Sequence, residues 1–359
     1  MQTQNYKLDF TGQNIYVGID THLKNWKATI MLDDITHKTF SQEPDVKKSE
    51  LYLRRNFPGG NYLSAYEASF CGFNIHRELH KHGIKNIVVN PADIPVTDKE
   101  KKQKEDKRDS RKIAKALRSG DLEAIYVPAR ETEEDRSLVR YRRTLVKEIN
   151  RHKHRVKSLL YYYGITISQK FSSGSKHWSK QYSSWLREIK FETSSGEITL
   201  NKIIYTVEYL RKQLLETTFE IKKLSQQERY IKNIKFLTNI PGIGLITAMI
   251  ILTELENIIR FKNLDKLSSC VGLIPTTNST GDNDKVGDLT CRSNKYLRSI
   301  IVESSWIAVR IDPALMMVYT NLCKRMKPSE AIIRIAKKLL NRIRYVLKNK
   351  LEYEFAIVK

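Results

Sequence analysis

The sequence predicts an α/β domain at its amino-terminal end, followed by regions that are almost wholly helical. Three observations carry this. Short apolar runs at Asn14–Asp20, Lys27–Leu32, Leu63–Glu67 and Ile87–Asn90 have the length and composition of strands, with helical stretches at Gly72–Gly83 and Arg108–Arg118 among them. Beyond Pro128 the apolar residues fall into helical spacing and strand signals stop. Finally, glycine and proline punctuate the chain near Pro241-Gly242-Ile243-Gly244, between two further helical segments.

Taken in order, NIYVGID opens the first domain, KATIML returns beside it as a hairpin strand, and LSAYE and IVVN follow. A further short strand is expected at Ala124–Val127. Strands alternating with helices predict a mixed or largely parallel sheet covered on both faces. Glu131–Tyr163 reads as one long basic helix, and Phe171–Ser184 as a polar, Ser-rich interval. A second long helix runs from Leu200 to Gln227, with Ile203, Val207, Leu210, Leu214, Thr217, Ile221 and Leu224 alternating by four and three. That seam is equally compatible with a helical hairpin, an intermolecular coiled coil or an ordinary amphipathic face. The resulting organisation is an α/β domain over 1–129, a helical coiled-coil or dimerisation region over 130–232, and a mostly helical carboxy-terminal domain over 233–359.

With 40% hydrophobic and 29% charged residues, the chain has enough apolar material for real cores and is not a disordered polymer. Cys71, Cys270, Cys291 and Cys323 form no CxxC pair, so neither a disulfide framework nor a zinc ribbon is expected and a reducing compartment fits. MQTQNYKLDF lacks the apolar core of a signal peptide, and no apolar stretch approaches ~20 residues, so a cytoplasmic protein without membrane spans is expected.

The 63 Lys and Arg residues outnumber 40 Asp and Glu, for a net charge of +23. Such an excess points to a polyanionic partner, because each cation that meets a phosphate releases a condensed counterion. Its distribution is one-signed: Arg136–Lys157 holds nine Lys and Arg against Glu148, and Lys324–Lys350 holds ten against Glu330. Solvated helix faces normally mix signs, so these helices favour nucleic acid; Arg140 and Arg143 are candidate contacts in the first. Gly242 and Gly244 allow a tight turn whose N–H groups approach a phosphate at the next helix, as a helix-hairpin-helix does when it grips DNA backbone.

Asp20 and Glu67 end two of the expected strands, at the edge where α/β proteins place reactive groups. Asp106 and Asp109 stand three apart at a helix start and so share one side of its first turn. Four converging carboxylates repel one another unless a cation neutralises them, and hard oxygen donors suit Mg²⁺ or Mn²⁺. Two such ions form a common arrangement for phosphodiester chemistry.

The order YVGID, YEASFCGFNIHREL and KEDKRDSRKIAKAL resembles the RuvC-like (RNase H-like), DEDD-type domain of the transposases of the insertion-sequence one-ten family. The later run from IPGIGLITAM to CRSNKYLR is similar to that family's carboxy-terminal transposase domain. The resemblance implies a site-specific DNA recombinase that excises and inserts its element, with Asp20, Glu67, Asp106 and Asp109 holding metal. It also implies a structured non-coding guide RNA, the bridge RNA, that pairs with target and donor DNA, and composite sites assembled across protomers. A serine before glycine serves as nucleophile in the family; in PTTNSTG this is Ser279, with Thr280 as the alternative. Arg292, Lys295 and Arg298 then offer phosphate contacts. A homo-oligomer is expected, a dimer by the heptad seam and a tetramer in a synapse of two duplexes. The competing activity is a RuvC-like structure-specific endonuclease using metal-activated water.

Overall fold

The computed structural model describes residues 8–33, 35–95, 106–171, 178–280, 283–290 and 292–355, with backbone alone at 106–108, 277–280 and 283–286. The chain divides into two compact units, Met1–Pro128 and Ala129–Lys359.

In the first unit, strands β1 (Asn14–Thr21), β2 (Trp26–Leu32), β3 (Ile35–Gln42), β4 (Asn61–Glu67) and β5 (Lys85–Val89) form one sheet in the order β3-β2-β1-β4-β5. The first three make an antiparallel meander, while β4 adds parallel to β1 and β5 parallel to β4. Parallel neighbours need crossovers, supplied by α1 (Val46–Asn56) and α2 (Asn74–Lys81). Side chains alternate across the sheet. Ile15, Val17, Ile19, Tyr66 and Val88 face a core closed by Leu53 of α1, Phe57 and Leu79 of α2. On the other face Ala65 and Val89 pack with Ile94 and with Ile113 of α3 (Asp106–Ser119).

Two elements of this unit escape sequence patterning. Edge strand β3 (ITHKTFSQ) is largely polar and lacks a clean apolar alternation. Helix α1 is announced by its cap, Asp45, which accepts the Lys47 N–H at 2.8 Å, yet its only buried residues are Val46, Ser49 and Leu53. The strand expected at Ala124–Val127 is reduced to a single antiparallel bridge between Val89 and Ala124, with the Ile125 N–H donating to the Val88 carbonyl at 2.8 Å.

In the second unit α4 (Arg130–Tyr162) packs along α6 (Ser194–Ser225). Together with α5 (Lys180–Glu188) they enclose Ile149, Val156, Leu160, Tyr182, Leu186 and Ile204. Of the heptad positions, Val207, Thr217, Ile221 and Leu224 are buried and Ile203, Leu210 and Leu214 half-buried. Helix α5 begins inside the interval expected to be a polar connection: Ser179 caps it by accepting the Tyr182 N–H at 3.2 Å, and Tyr182, Ser183 and Leu186 turn inward.

The remaining chain contributes α7 (Glu228–Thr238), α8 (Leu245–Leu255), α9 (Leu264–Val271), β6 (Pro275–Thr280), β7 (Asn283–Leu289), α10 (Lys295–Ile311), α11 (Pro313–Cys323) and α12 (Pro328–Asn349). Helix α8 is buried from Ala248 to Leu255, as its largely apolar composition requires. Helix α12 turns Ile332, Ile335, Leu339 and Ile343 into the same core. The antiparallel hairpin β6–β7 corrects the expectation that strands end at Pro128: PTTNST and NDKVGDL are mostly polar in sequence, so no apolar alternation marks them.

Candidate active site

Asp20 and Glu67 are neighbours at the carboxy-terminal ends of adjacent parallel strands, one residue beyond the ladder pair Ile19 and Tyr66. In-register residues of parallel strands share a face. Gly18 and Ala65, two residues earlier on each strand, face α3, so Asp20 and Glu67 do too. Helix α3 runs antiparallel to β1. Its last turn donates from Arg118 Nη1 to the Asp33 carbonyl at 3.1 Å, beside the start of β1, and its middle lies over Gly18. The first turn, with Asp109, therefore lies toward the end of β1 that carries Asp20.

The helix is fixed there by two features. An ideal Cβ at Gly18 would overlap the Ser110 carbonyl oxygen and the Ala114 nitrogen, so only glycine permits this approach. The Thr29 hydroxyl, on the strand beside Gly18, is hydrogen-bonded at 2.9 Å to both the Ser110 and Thr39 hydroxyls. Asp20 Oδ2 lies 3.1 Å from His22 Nε2, and Asp109 Oδ1 accepts from Lys112 Nζ at 3.3 Å. Asp106 opens α3, and its side chain lies outside the described residues. Among the described residues no three His, Cys, Asp or Glu side chains are grouped as a cation site.

Ser279 and Thr280 lie at the far end of β6, paired through their Cα positions with Asp284 and Asn283; their side chains are outside the described residues. The base of this hairpin is held in detail. Asn294, the cap of α10, accepts the Leu297 N–H through Oδ1 at 2.9 Å, and its own N–H donates to the Cys270 carbonyl at 2.9 Å. Arg298 Nη1 donates to the Gly272 carbonyl at 3.2 Å and the Thr290 carbonyl at 3.1 Å, joining the chain that enters the hairpin to the chain that leaves it. Burial pushes the Cys270 thiol up and keeps it protonated, which disfavours it as a nucleophile beside the hairpin.

Glu254 of α8 lies beneath this base with its side chain 1% exposed. It accepts from Arg140 Nε at 2.7 Å and Nη2 at 2.8 Å, and from Asn294 Nδ2 at 2.7 Å. Arg143, one turn along α4, stacks 4.1 Å from the centroid of Tyr296. Sequence patterning does not single out Glu254 or Tyr296, although Glu254 is the sole charged residue of LITAMIILTEL. Arg140 and Arg143 thus make intramolecular contacts, while Arg292 and Lys295 are exposed at the start of α10.

The turn Asn239–Gly244 joins α7 to α8. Gly242 has φ +84°, and a Cβ there would overlap the Ser304 carbonyl of α10, so its lack of a side chain serves packing. Gly244, the residue before α8, has open space around it. Beside this turn, Ile307, Ile311 and Phe355 complete a shallow, mainly apolar groove. No helix among the described residues is long and apolar enough to cross a membrane.

A sheet whose adjacent strand ends present carboxylates to one covering helix, carried in a chain with a separate, mainly helical unit, has the organisation of a DEDD-type transposase. Residues 17–165 match the family model for DEDD transposases of the IS110 type, described as "Transposase", and residues 234–320 match the "Transposase IS116/IS110/IS902 family". A Sinorhizobium fredii protein bearing a transposase name is 28% identical over 241 residues, 67% of this chain and 57% of that protein. The transposase for insertion sequence element IS1533 of Leptospira borgpetersenii is 25% identical over 260 residues, 70% of this chain and 72% of the relative. The transposase for insertion sequence element IS1111A of Coxiella burnetii is 22% identical over 244 residues, 67% of this chain and 64% of its own length. The chain belongs to the IS110 family of transposases.

Proposed function

We propose that this protein is a metal-dependent DNA recombinase that excises and inserts a mobile element, with Ser279 as nucleophile and Thr280 as the alternative. The observation that carries the reading is the pairing of Asp20 with Glu67 at adjacent parallel strand ends, on the face that α3 covers with Asp109. An all-carboxylate donor set suits a hard divalent cation, and the placement of Asp20 and Glu67 fits one. Asp20, Glu67, Asp109 and Asp106 would hold Mg²⁺ or Mn²⁺, which supplies Lewis-acid polarisation of a phosphodiester when bound.

The chain's own residues do the rest. The serine oxygen forms a bond to phosphorus, the phosphodiester bond to one DNA end breaks, and that end leaves as a hydroxyl carrying the serine proton. The phosphoserine bond conserves the energy needed to rejoin strands without ATP. Exposed Arg292 and Lys295 meet the backbone of the bound strand. Gly242 shapes the turn of a helix-hairpin-helix by packing on α10, and Gly244, with open space beside it, lets phosphate approach the α8 amino terminus. Arg140 keeps 55% of its side chain exposed and, with Arg143, extends the basic stripe of α4 toward nucleic acid. Arg298 contributes by closing the hairpin base.

The charge of +23 and its one-signed helices support a second polyanion beside the DNA, a structured guide RNA whose loops pair with target and donor. The outer side of α6, with Ile198, Tyr205, Tyr209, Leu215 and Phe219 exposed, supports assembly into a dimer and, in a synapse, a tetramer. The protein acts in the bacterial cytoplasm, at the nucleoid. The test is DNA cleavage by protein supplied with the flanking RNA of its element, donor and target DNA and Mg²⁺, resolved on a denaturing gel. A protein–DNA adduct that requires Mg²⁺ and Asp20 supports the reading; cleavage with no adduct would assign the chain to water-using endonucleases instead.

A further inference from the structure

We propose that Glu254 is a positioning residue: through Asn294 and Arg140 it fixes the base of the hairpin that carries Ser279. The inference rests on the serine reading above and deepens it. Three donors converge on this carboxylate, Arg140 Nε and Nη2 and Asn294 Nδ2, all within 2.8 Å. The side chain is 1% exposed, so each oxygen depends on those donors in place of water. Asn294 has no freedom to turn its amide over, because Oδ1 already accepts the Leu297 N–H and a reversed amide would set donor against donor.

The consequence is mechanical. Asn294 stands directly after the loop that follows β7, and its backbone N–H is bound to the Cys270 carbonyl near the end of α9. Glu254 therefore anchors the point where the hairpin rejoins the helical core, and Arg298 ties that point to the Gly272 carbonyl on the entering side. Arg136 reinforces the attachment of α4, donating from Nε to the Thr253 carbonyl at 2.7 Å. A hairpin that reaches out to place one hydroxyl against a phosphorus atom gains accuracy from a rigid base. A displacement of about 1 Å at the reacting atoms is enough to cost about a hundredfold in rate.

The donor pattern supplies its own test. Glu254→Gln places an amide where only acceptors are tolerated. Asn294→Asp keeps the cap on α10 but sets an acceptor against Glu254. Together the two substitutions restore the link between the two positions: the new amide nitrogen, at the place of Oε2, donates to the new carboxylate and the carbonyl at the place of Oε1 still accepts from Arg140 Nε, while Arg140 Nη2 loses the oxygen it shared with Asn294. With full-length protein, each single substitution is expected to slow Ser279–DNA adduct formation about 10- to 100-fold, as loss of a supporting shell typically does, with DNA affinity within about twofold. Amide hydrogen exchange across residues 275–289 should accelerate while α8 and α12 keep their protection, and the double substitution should recover part of both rate and protection, since the Arg140 Nη2 bond stays lost. Singles with unchanged rates, a double no better than the worse single, or exchange accelerated uniformly through residues 228–349 would each overturn the proposal. A wild-type protein that forms no adduct removes the serine reading, and the exchange pattern and its recovery then decide the role of Glu254 by themselves.

Discussion

The carbonyl of Ser110 occupies the space that a β-carbon on Gly18 would need, so helix α3 rests directly on the backbone of the central strand. Gly18→Ala pushes these elements apart. Overpacking of this kind costs about 1–3 kcal/mol, measurable by chemical denaturation, and because α3 carries Asp109 the loss of cleavage should exceed the loss of stability. A variant as stable and active as the wild type would contradict this placement of α3.

Asp20→Asn and Glu67→Gln should each remove metal-dependent cleavage while DNA binding is kept or tightened. Each substitution deletes a negative charge close to where a phosphate must lie, so the repulsion it exerted disappears. Gel-shift and cleavage assays on the same preparations separate the two effects; parallel loss of both would show that these carboxylates serve folding.

Asp312, fully buried at the start of α11, accepts from Arg342, from Tyr353 and from the Leu315 N–H. Burial raises its pKa, but the three hydrogen bonds and the Arg342 charge together hold the carboxyl below its ordinary value of 3.8. Its contribution to stability is thus present above the unfolded value and is lost as pH falls below about 3.8 toward the folded one. Burial, then the bond to Asp312, pushes the Tyr353 hydroxyl up from 10, so its contribution is lost as pH rises past 10. Tyr353→Phe should cost about 1–3 kcal/mol near neutrality and flatten the alkaline limb of the stability profile, read by thermal melts across pH.

Ile204 is fully buried between α4, α5 and α6. Ile204→Ala should cost about 2–5 kcal/mol, whereas Tyr205→Ala, one residue along and 67% exposed, should leave the melting temperature nearly unchanged. Equal effects of the two would contradict the register of α6.

What was legible in the sequence follows from where burial imposes a period. The runs at Ile15–Ile19 and Leu63–Tyr66 are buried strands and announce themselves, and with them the strand-end acids Asp20 and Glu67. The seam of α6 is legible for the same reason. Strand β3 and the hairpin β6–β7 are not, because their ladders are made by backbone groups while their side chains are mostly polar. Gly242 shows a different limit. Its sequence context suggests an approach of backbone to ligand, and the structure shows an approach of backbone to the Ser304 carbonyl; both require glycine, and only coordinates tell them apart. Glu254 is visible in the sequence as a lone charge in an apolar helix, but its partners lie 114 residues earlier and 40 later.

The central claim, a serine recombinase, is tested most directly by trapping the protein–DNA adduct, digesting it and locating the nucleotide-bearing peptide by mass spectrometry. The account predicts a phosphodiester on Ser279, absent from Ser279→Ala and from Asp20→Ala. DNA cleaved by the wild-type protein with no nucleotide on any peptide from the β6–β7 hairpin would contradict it.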